Sequence, residues 1–112
     1  MKNDIYTIAD IRQILNKVLK NTKVKKAILF GSYAKNMPTK ESDIDIMIDC
    51  EGQVKGLEFY KIMDEIGESF DKDVDVIEKI EIEKNSPIEK EIDKTGVVVY
   101  EKIYNIKTLK LI

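Results

Sequence analysis

The sequence predicts a small α/β (α+β) domain, on three observations. Stretches with helical apolar spacing and short strand-like apolar runs alternate along the chain, in the order α-β-α-β-α-β-α-β. The 112 residues fit one domain, read as residues 1–112, and leave little room for a second. Hydrophobic residues make up 43%, enough for a packed core and too many for a disordered tail.

Thr7 opens the first helix, with Asp10 three residues later as a capping-box partner. Ile8, Ile11, Leu15 and Val18 share one face, flanked by Ile14 and Leu19, and Asn21 is the expected stop. Lys17, Lys20, Lys23, Lys25 and Lys26 gather at that end. They suit the negative end of the helix dipole and keep the face soluble; the other use of such a cluster is to hold phosphate or an acidic partner. Residues 24–30 contain Ala27-Ile28-Leu29-Phe30, a run that reads as a buried strand stopping at Gly31-Ser32. Residues 32–36 are expected as a short helix ended by Met37-Pro38. A second strand is expected over 43–49, with Ile44, Met47 and Ile48 apolar and Asp43 and Asp45 on one face by period-two alternation.

Glu51-Gly52-Gln53 is a turn, followed by an amphipathic helix with Phe59, Ile62, Met63, Ile66 and Phe70 on one side. Periodicity leaves open whether that face is all core or partly an interface within a homo- or hetero-oligomer. Residues 73–77 form a third strand. Ser86 caps the last helix, Pro87 takes its first position, Glu89 closes a capping box, and Gly96 stops it after Lys94-Thr95. Residues 97–100 make a final strand, and 101–112 alternate too poorly to be assigned structure.

Composition excludes several functions. The 19 basic and 21 acidic residues nearly cancel to a net charge of −2, so the surface is mixed in sign and no stable nucleic-acid binding is expected. Cys50 is the one cysteine, so no disulfide can close within the chain, as suits a reducing cytoplasm. No apolar run approaches the ~20 residues that span a bilayer, and the first ten residues lack a signal-peptide core. A cytoplasmic protein without membrane contact is expected. With no histidine, Ser-His-Asp and Cys-His catalysis, histidine bases and histidine metal ligands are all excluded. Chemistry must run on carboxylates, lysines, hydroxyls and bound metal.

One constellation offers it. Gly31-Ser32 is followed by ten residues and then Asp43-Ile44-Asp45, and Asp75 comes thirty residues after Asp45, between Val74 and Val76. Asp43 and Asp45 leave the same strand face, and two carboxylates that close repel unless a proton or a cation intervenes. An oxygen-only ligand set suits a hard cation such as Mg²⁺. A third carboxylate from a neighbouring strand, Asp75, allows two ions about 4 Å apart, the clamp for in-line phosphoryl displacement. Asp73 shares the face of Asp75 and is the alternative ligand, although Asp75 is better embedded. Gly31 lets the backbone approach a phosphate, Ser32 adds a hydroxyl, and the following helix N-terminus adds free N–H groups. Tyr33 and Cys50 read as packing residues.

Gly31-Ser32-Tyr33-Ala34-Lys35 together with Ser42-Asp43-Ile44-Asp45 resembles the DNA polymerase β nucleotidyltransferase superfamily. More narrowly, the chain is similar to the minimal nucleotidyltransferases, antitoxin partners of HEPN-domain toxins. The likeness runs from about residue 24 to 77, and the 96–100 ending is also similar. It departs at Lys35-Asn36, where many relatives carry Arg-Gly, which bears on local packing or acceptor contacts. The resemblance implies a mixed central sheet flanked by helices, and ATP as substrate with two Mg²⁺ ions. Asp43 and Asp45 would ligate both metals. Asp75 would complete one site and help deprotonate the attacking hydroxyl. Gly31 and Ser32 would hold the β- and γ-phosphates. The acceptor would be a tyrosine of a cognate HEPN RNase toxin, silenced by adenylylation. Two other functions stand beside this one: transfer to a small molecule such as an aminoglycoside, for which the chain is short, and a non-catalytic antitoxin acting by occupancy, which would not need the carboxylates.

Overall fold

The computed structural model describes residues 5–103; most of the 101–112 tail lies outside them. Helix α1 (Ile8–Leu19) starts as the sequence dictates: Thr7 Oγ1 accepts the Asp10 N–H, and the Asp10 carboxylate accepts the Thr7 N–H, both at 3.0 Å. It ends at Leu19 with Lys20 as its cap, earlier than Asn21. The reason is local: the Thr22 N–H and hydroxyl both donate to the Leu19 carbonyl, turning the chain towards the sheet. Lys23 and Lys26, two members of the lysine cluster, pair with Glu58 and Glu101 on the surface.

The remaining elements are β1 (Lys26–Phe30), β2 (Ile44–Asp49), α2 (Leu57–Glu68), β3 (Val74–Glu78), a 3₁₀ turn (Lys79–Glu81), α3 (Pro87–Thr95) and β4 (Val97–Glu101). The strands form one mixed sheet in the order β3-β2-β1-β4. β1 runs antiparallel to both β2 and β4, while β2 and β3 are parallel, joined by α2 as the crossover that parallel strands require. Alternation sorts the strand side chains onto two faces. Ala27, Leu29, Ile44, Ile46, Ile48 and Val99 face α1 and α2 in the main core, with Ile11, Leu15, Ile62 and Ile66 opposite them. Ile28, Phe30, Met47 and Ile77 face the other way, where Ile92 of α3 packs on them. Among the described residues, one face is therefore closed by two helices and the other only partly by one.

β4 carries an irregularity opposite Ala27 and Ile28 that turns both Val99 and Tyr100 inward. The Arg12 guanidinium donates to the Val98 carbonyl beside it, and the Tyr100 hydroxyl donates to the Leu19 carbonyl. At α3, Ser86 caps the Glu89 N–H as expected, but the Glu89 carboxylate accepts from Asn85, not from Ser86. Asn85 has a φ of 64°, and this left-handed bend brings its N–H round to that carboxylate. Gly96 ends α3 as expected, without a left-handed conformation. Its φ is −64°, and what it provides is space: a Cβ there would lie 2.5 Å from the Ile92 carbonyl oxygen and 2.8 Å from Ile28 Cγ2.

Gly96→Ala should therefore push α3 off β1 and cost about 1–3 kcal/mol, the usual range for overpacking. Urea denaturation measures it; an unchanged midpoint would show that α3 is free to shift.

Candidate active site

β1 ends beside the site because Gly31 breaks it. Gly31 has a φ of 75°, in the region that glycine enters without penalty. Its carbonyl accepts the N–H groups of Ala34 and Lys35, forming a single turn. The short helix expected over 32–36 is thus no longer than that turn. It closes at once: Asn36 N–H donates to the Tyr33 carbonyl and Met37 N–H to the Ser32 carbonyl, with Asn36 left-handed at φ 59°. This is the Schellman pattern that terminates helices. Position 36 is where many relatives of the resembled family have glycine, and asparagine is the other residue that tolerates such a φ. The Lys35-Asn36 departure therefore preserves the turn. Tyr33, 2% exposed, anchors it in the core, and its hydroxyl accepts a hydrogen bond from Lys72 Nζ at 2.8 Å.

The carboxylates come from β2 and β3. Asp45 lies on β2, opposite Phe30 of β1 and beside Asp75 of β3 in the strand register. By alternation both acids share the sheet face of Phe30, Met47 and Ile77. Asp43 sits one residue before β2, not within it, at the end of a turn in which Thr39 N–H donates to Ser42 Oγ and Ser42 N–H to the Thr39 carbonyl. Asp73 likewise precedes β3, and its carbonyl accepts from Ile44 N–H.

The electrostatics follow. Burial, then the charges of Asp75, Asp43 and Glu91, pushes the Asp45 carboxyl up from 3.8 to about 6. Asp73 is not among the groups acting on it. A Cβ on Gly31 would run into the Asp45 carboxylate, so the cradle and the acid are in immediate contact. Cys50 is buried away from this chemistry, its thiol raised to about 11 chiefly by burial.

Glu91, on α3, joins the site without any signal in the sequence. Its Oε2 accepts the Gly31 N–H at 3.0 Å and lies 3.6 Å from Lys35 Nζ. Nothing local betrays it, since among Glu89, Lys90 and Asp93 it looks like part of a solvated helix face.

The donor set fits a hard divalent cation: all oxygen, with mutual repulsion that a cation would relieve. Among the described residues, no three acidic or cysteine side chains already stand as a closed metal cage. On the same face, a cleft of 270 Å³ opens next to Met47, lined also by Ile28, Ile82 and Ile92.

The sequence pattern of the family described as polymerase β, nucleotidyltransferase, matches residues 12–105. The chain belongs to this nucleotidyltransferase family. A relative from Methanocaldococcus jannaschii, named as a protein adenylyltransferase, is 37% identical, over 83% of this chain and 98% of its own length. A second of that name and organism is 35% identical over the same shares. Among solved structures, a toxin–antitoxin complex with AMP-PNP matches with a TM-score of 0.67 at 19% identity, covering 89% of this chain and 85% of that one. A complex of a tri-AMPylated Shewanella oneidensis HEPN toxin with an MNT antitoxin matches with a TM-score of 0.62 at 17% identity, over 94% of this chain and 79% of that one. These likenesses confirm the small α/β fold with a mixed four-stranded sheet.

The raised Asp45 carboxyl has a consequence for stability. The folded protein holds this proton more tightly than the unfolded chain does. Its stabilising contribution is therefore complete below about pH 4 and is lost as the pH climbs through about 6. Asp45→Asn cannot ionise and should gain on the wild type over that interval in metal-free buffer, by on the order of 1 kcal/mol for a partly solvated group. Denaturation midpoints at about pH 4 and about pH 7.5 measure it; a difference independent of pH would contradict the assigned repulsion.

Proposed function

We propose that this protein is an Mg²⁺-dependent adenylyltransferase that moves AMP from ATP onto a protein hydroxyl, a tyrosine of a cognate HEPN RNase toxin, and so neutralises that toxin in the cytoplasm. One observation carries the reading: Asp45 lies against the Gly31 turn and is paired in register with Asp75 of the adjacent strand, on the side of the sheet that α3 only partly covers. The names of the Methanocaldococcus relatives and the AMPylated toxin in the Shewanella complex support the acceptor class and the partner.

In this reading the Gly31 N–H and Ser32 hydroxyl hold the β- and γ-phosphates. Asp43 and Asp45 would hold two Mg²⁺ ions, and Asp75 would complete one site. Bound there, the ions would neutralise the triphosphate and acidify the acceptor hydroxyl. Asp75 stands beside Asp45 to accept the hydroxyl proton. The acceptor oxygen then forms its bond to the α-phosphorus, the bond to the bridging oxygen breaks, and pyrophosphate leaves. The partly uncovered face of the sheet gives a bulky protein acceptor access that an enclosed pocket would deny.

Incubation with labelled ATP, Mg²⁺ and the product of any adjacent HEPN gene should add AMP mass to that partner. Asp43→Ala and Asp45→Ala should each lower transfer by about a thousandfold or more, since such an ion site is worth several kcal/mol in the transition state. Tight complex formation with no transfer, unaffected by either substitution, would replace the enzyme with a binder acting by occupancy.

A further inference from the structure

The Gly31 N–H, the donor assigned above to a phosphate oxygen, is already engaged. It donates to Glu91 Oε2 at 3.0 Å, and the same oxygen lies 3.6 Å from Lys35 Nζ. A single carboxylate oxygen thus covers the backbone donor at the strand–turn junction and the ammonium beside it, two groups that would attract an anion. We propose that Glu91 is a built-in stand-in for phosphate: it fills the cradle in the nucleotide-free protein, must be displaced when a nucleoside triphosphate enters, and thereby sets nucleotide affinity. The inference rests on reading Gly31-Ser32 as the phosphate cradle.

Three features of the molecule support it. A backbone N–H is a single donor, so a phosphate oxygen and Glu91 Oε2 exclude one another there. The Glu91 charge also reaches Asp45, so it adds to the negative field that an incoming triphosphate meets. Displacement is feasible because only the side chain need move. The backbone of Glu91 is fixed in α3, where its carbonyl accepts from Thr95 Oγ1 and the neighbouring Ile92 is buried. Its side chain, however, is 34% exposed and can rotate out to solvent without shifting the helix. Once it leaves, the Gly31 N–H and Lys35 are both released to a phosphate.

The opposite role, a brace that holds the Gly31 turn in shape, predicts an effect of opposite sign. Titration calorimetry with Mg·ATP and, separately, Mg·tripolyphosphate distinguishes the two on wild type, Glu91→Ala and Glu91→Gln. Tripolyphosphate reports on the cradle alone. Both ligands should bind Glu91→Ala about tenfold more tightly than wild type, one charge-assisted hydrogen bond no longer having to be broken. Glu91→Gln, which keeps the shape and loses the charge, should fall between. The gain should shrink in Lys35→Ala/Glu91→Ala. Urea midpoints verify that each variant is folded. Unchanged or weaker binding by folded Glu91 variants, with wild type binding normally, overturns the stand-in and makes Glu91 a brace. Failure of every form, wild type included, to bind either ligand overturns the cradle reading itself, and this inference with it.

Discussion

Gly31 follows Phe30, whose Cα partner across the sheet is Asp45, so the chain leaving β1 passes directly beside the Asp45 carboxylate. No side chain fits between them, and the φ of 75° at Gly31 turns the backbone away in one step. That contact constrains much else. β1 and β2 must be neighbours, in this register, for the glycine turn to meet the acid. β3 must lie parallel on the far side of β2 for Asp75 to come level with Asp45, which in turn demands the α2 crossover. The core face of the same strands is then left to Ile44, Ile46 and Ile48, all at 0% exposure, beneath α1 and α2.

The arrangement opposes site to scaffold. On β2 the fully buried Ile44 and Ile46 flank Asp45, an acid that burial and like charges hold back from ionising. Each isoleucine contributes roughly 1.5–3 kcal/mol by leaving water, which lets the strand carry a repelling carboxylate at its other face. The instability is therefore local to the face that α3 only partly covers, and a cation or a ligand bound there would relieve it. Perturbed acids of this kind concentrate where proteins do chemistry, and here the perturbation comes first from burial and then from Asp75 and Asp43, neighbours that the sequence motif contains.

What could be read in the sequence follows from how local each signal is. Thr7 with Asp10, Ser86 with Pro87, and the apolar strand runs act over three or four residues, and those elements stand where their residues put them. The Gly-Ser and Asp-x-Asp spacing was equally visible, since a tight turn and a period-two strand are short-range features. Long-range contacts were not visible. Arg12 reaching Val98, Tyr100 reaching Leu19 and Glu91 reaching Gly31 join residues 60 to 86 positions apart, and none of these side chains differs in type from ordinary surface or core residues. Residues 32–36 form a single turn instead of the short helix expected, because asparagine at 36 carries no sequence mark as clear as glycine, although it adopts the same left-handed conformation.

Lys35 and Asn36 show how a departure from a family pattern can be absorbed unequally. Asn36 keeps the backbone geometry, since the Schellman closure needs only a residue that tolerates a positive φ. Lys35 is a less neutral replacement for arginine. An ammonium is a compact point charge on a flexible stem, whereas a guanidinium grips a carboxylate with two parallel donors. At 3.6 Å, with its side chain 39% exposed, the Lys35–Glu91 pair is the loose kind of ion pair that surface measurements find weak. An arginine at this position would clamp Glu91 in place, whereas a lysine leaves the carboxylate able to exchange the Gly31 N–H for solvent. The two substitutions thus act on different links of the chain from sequence to site: one preserves the shape of the turn, and the other lowers the barrier to vacating it.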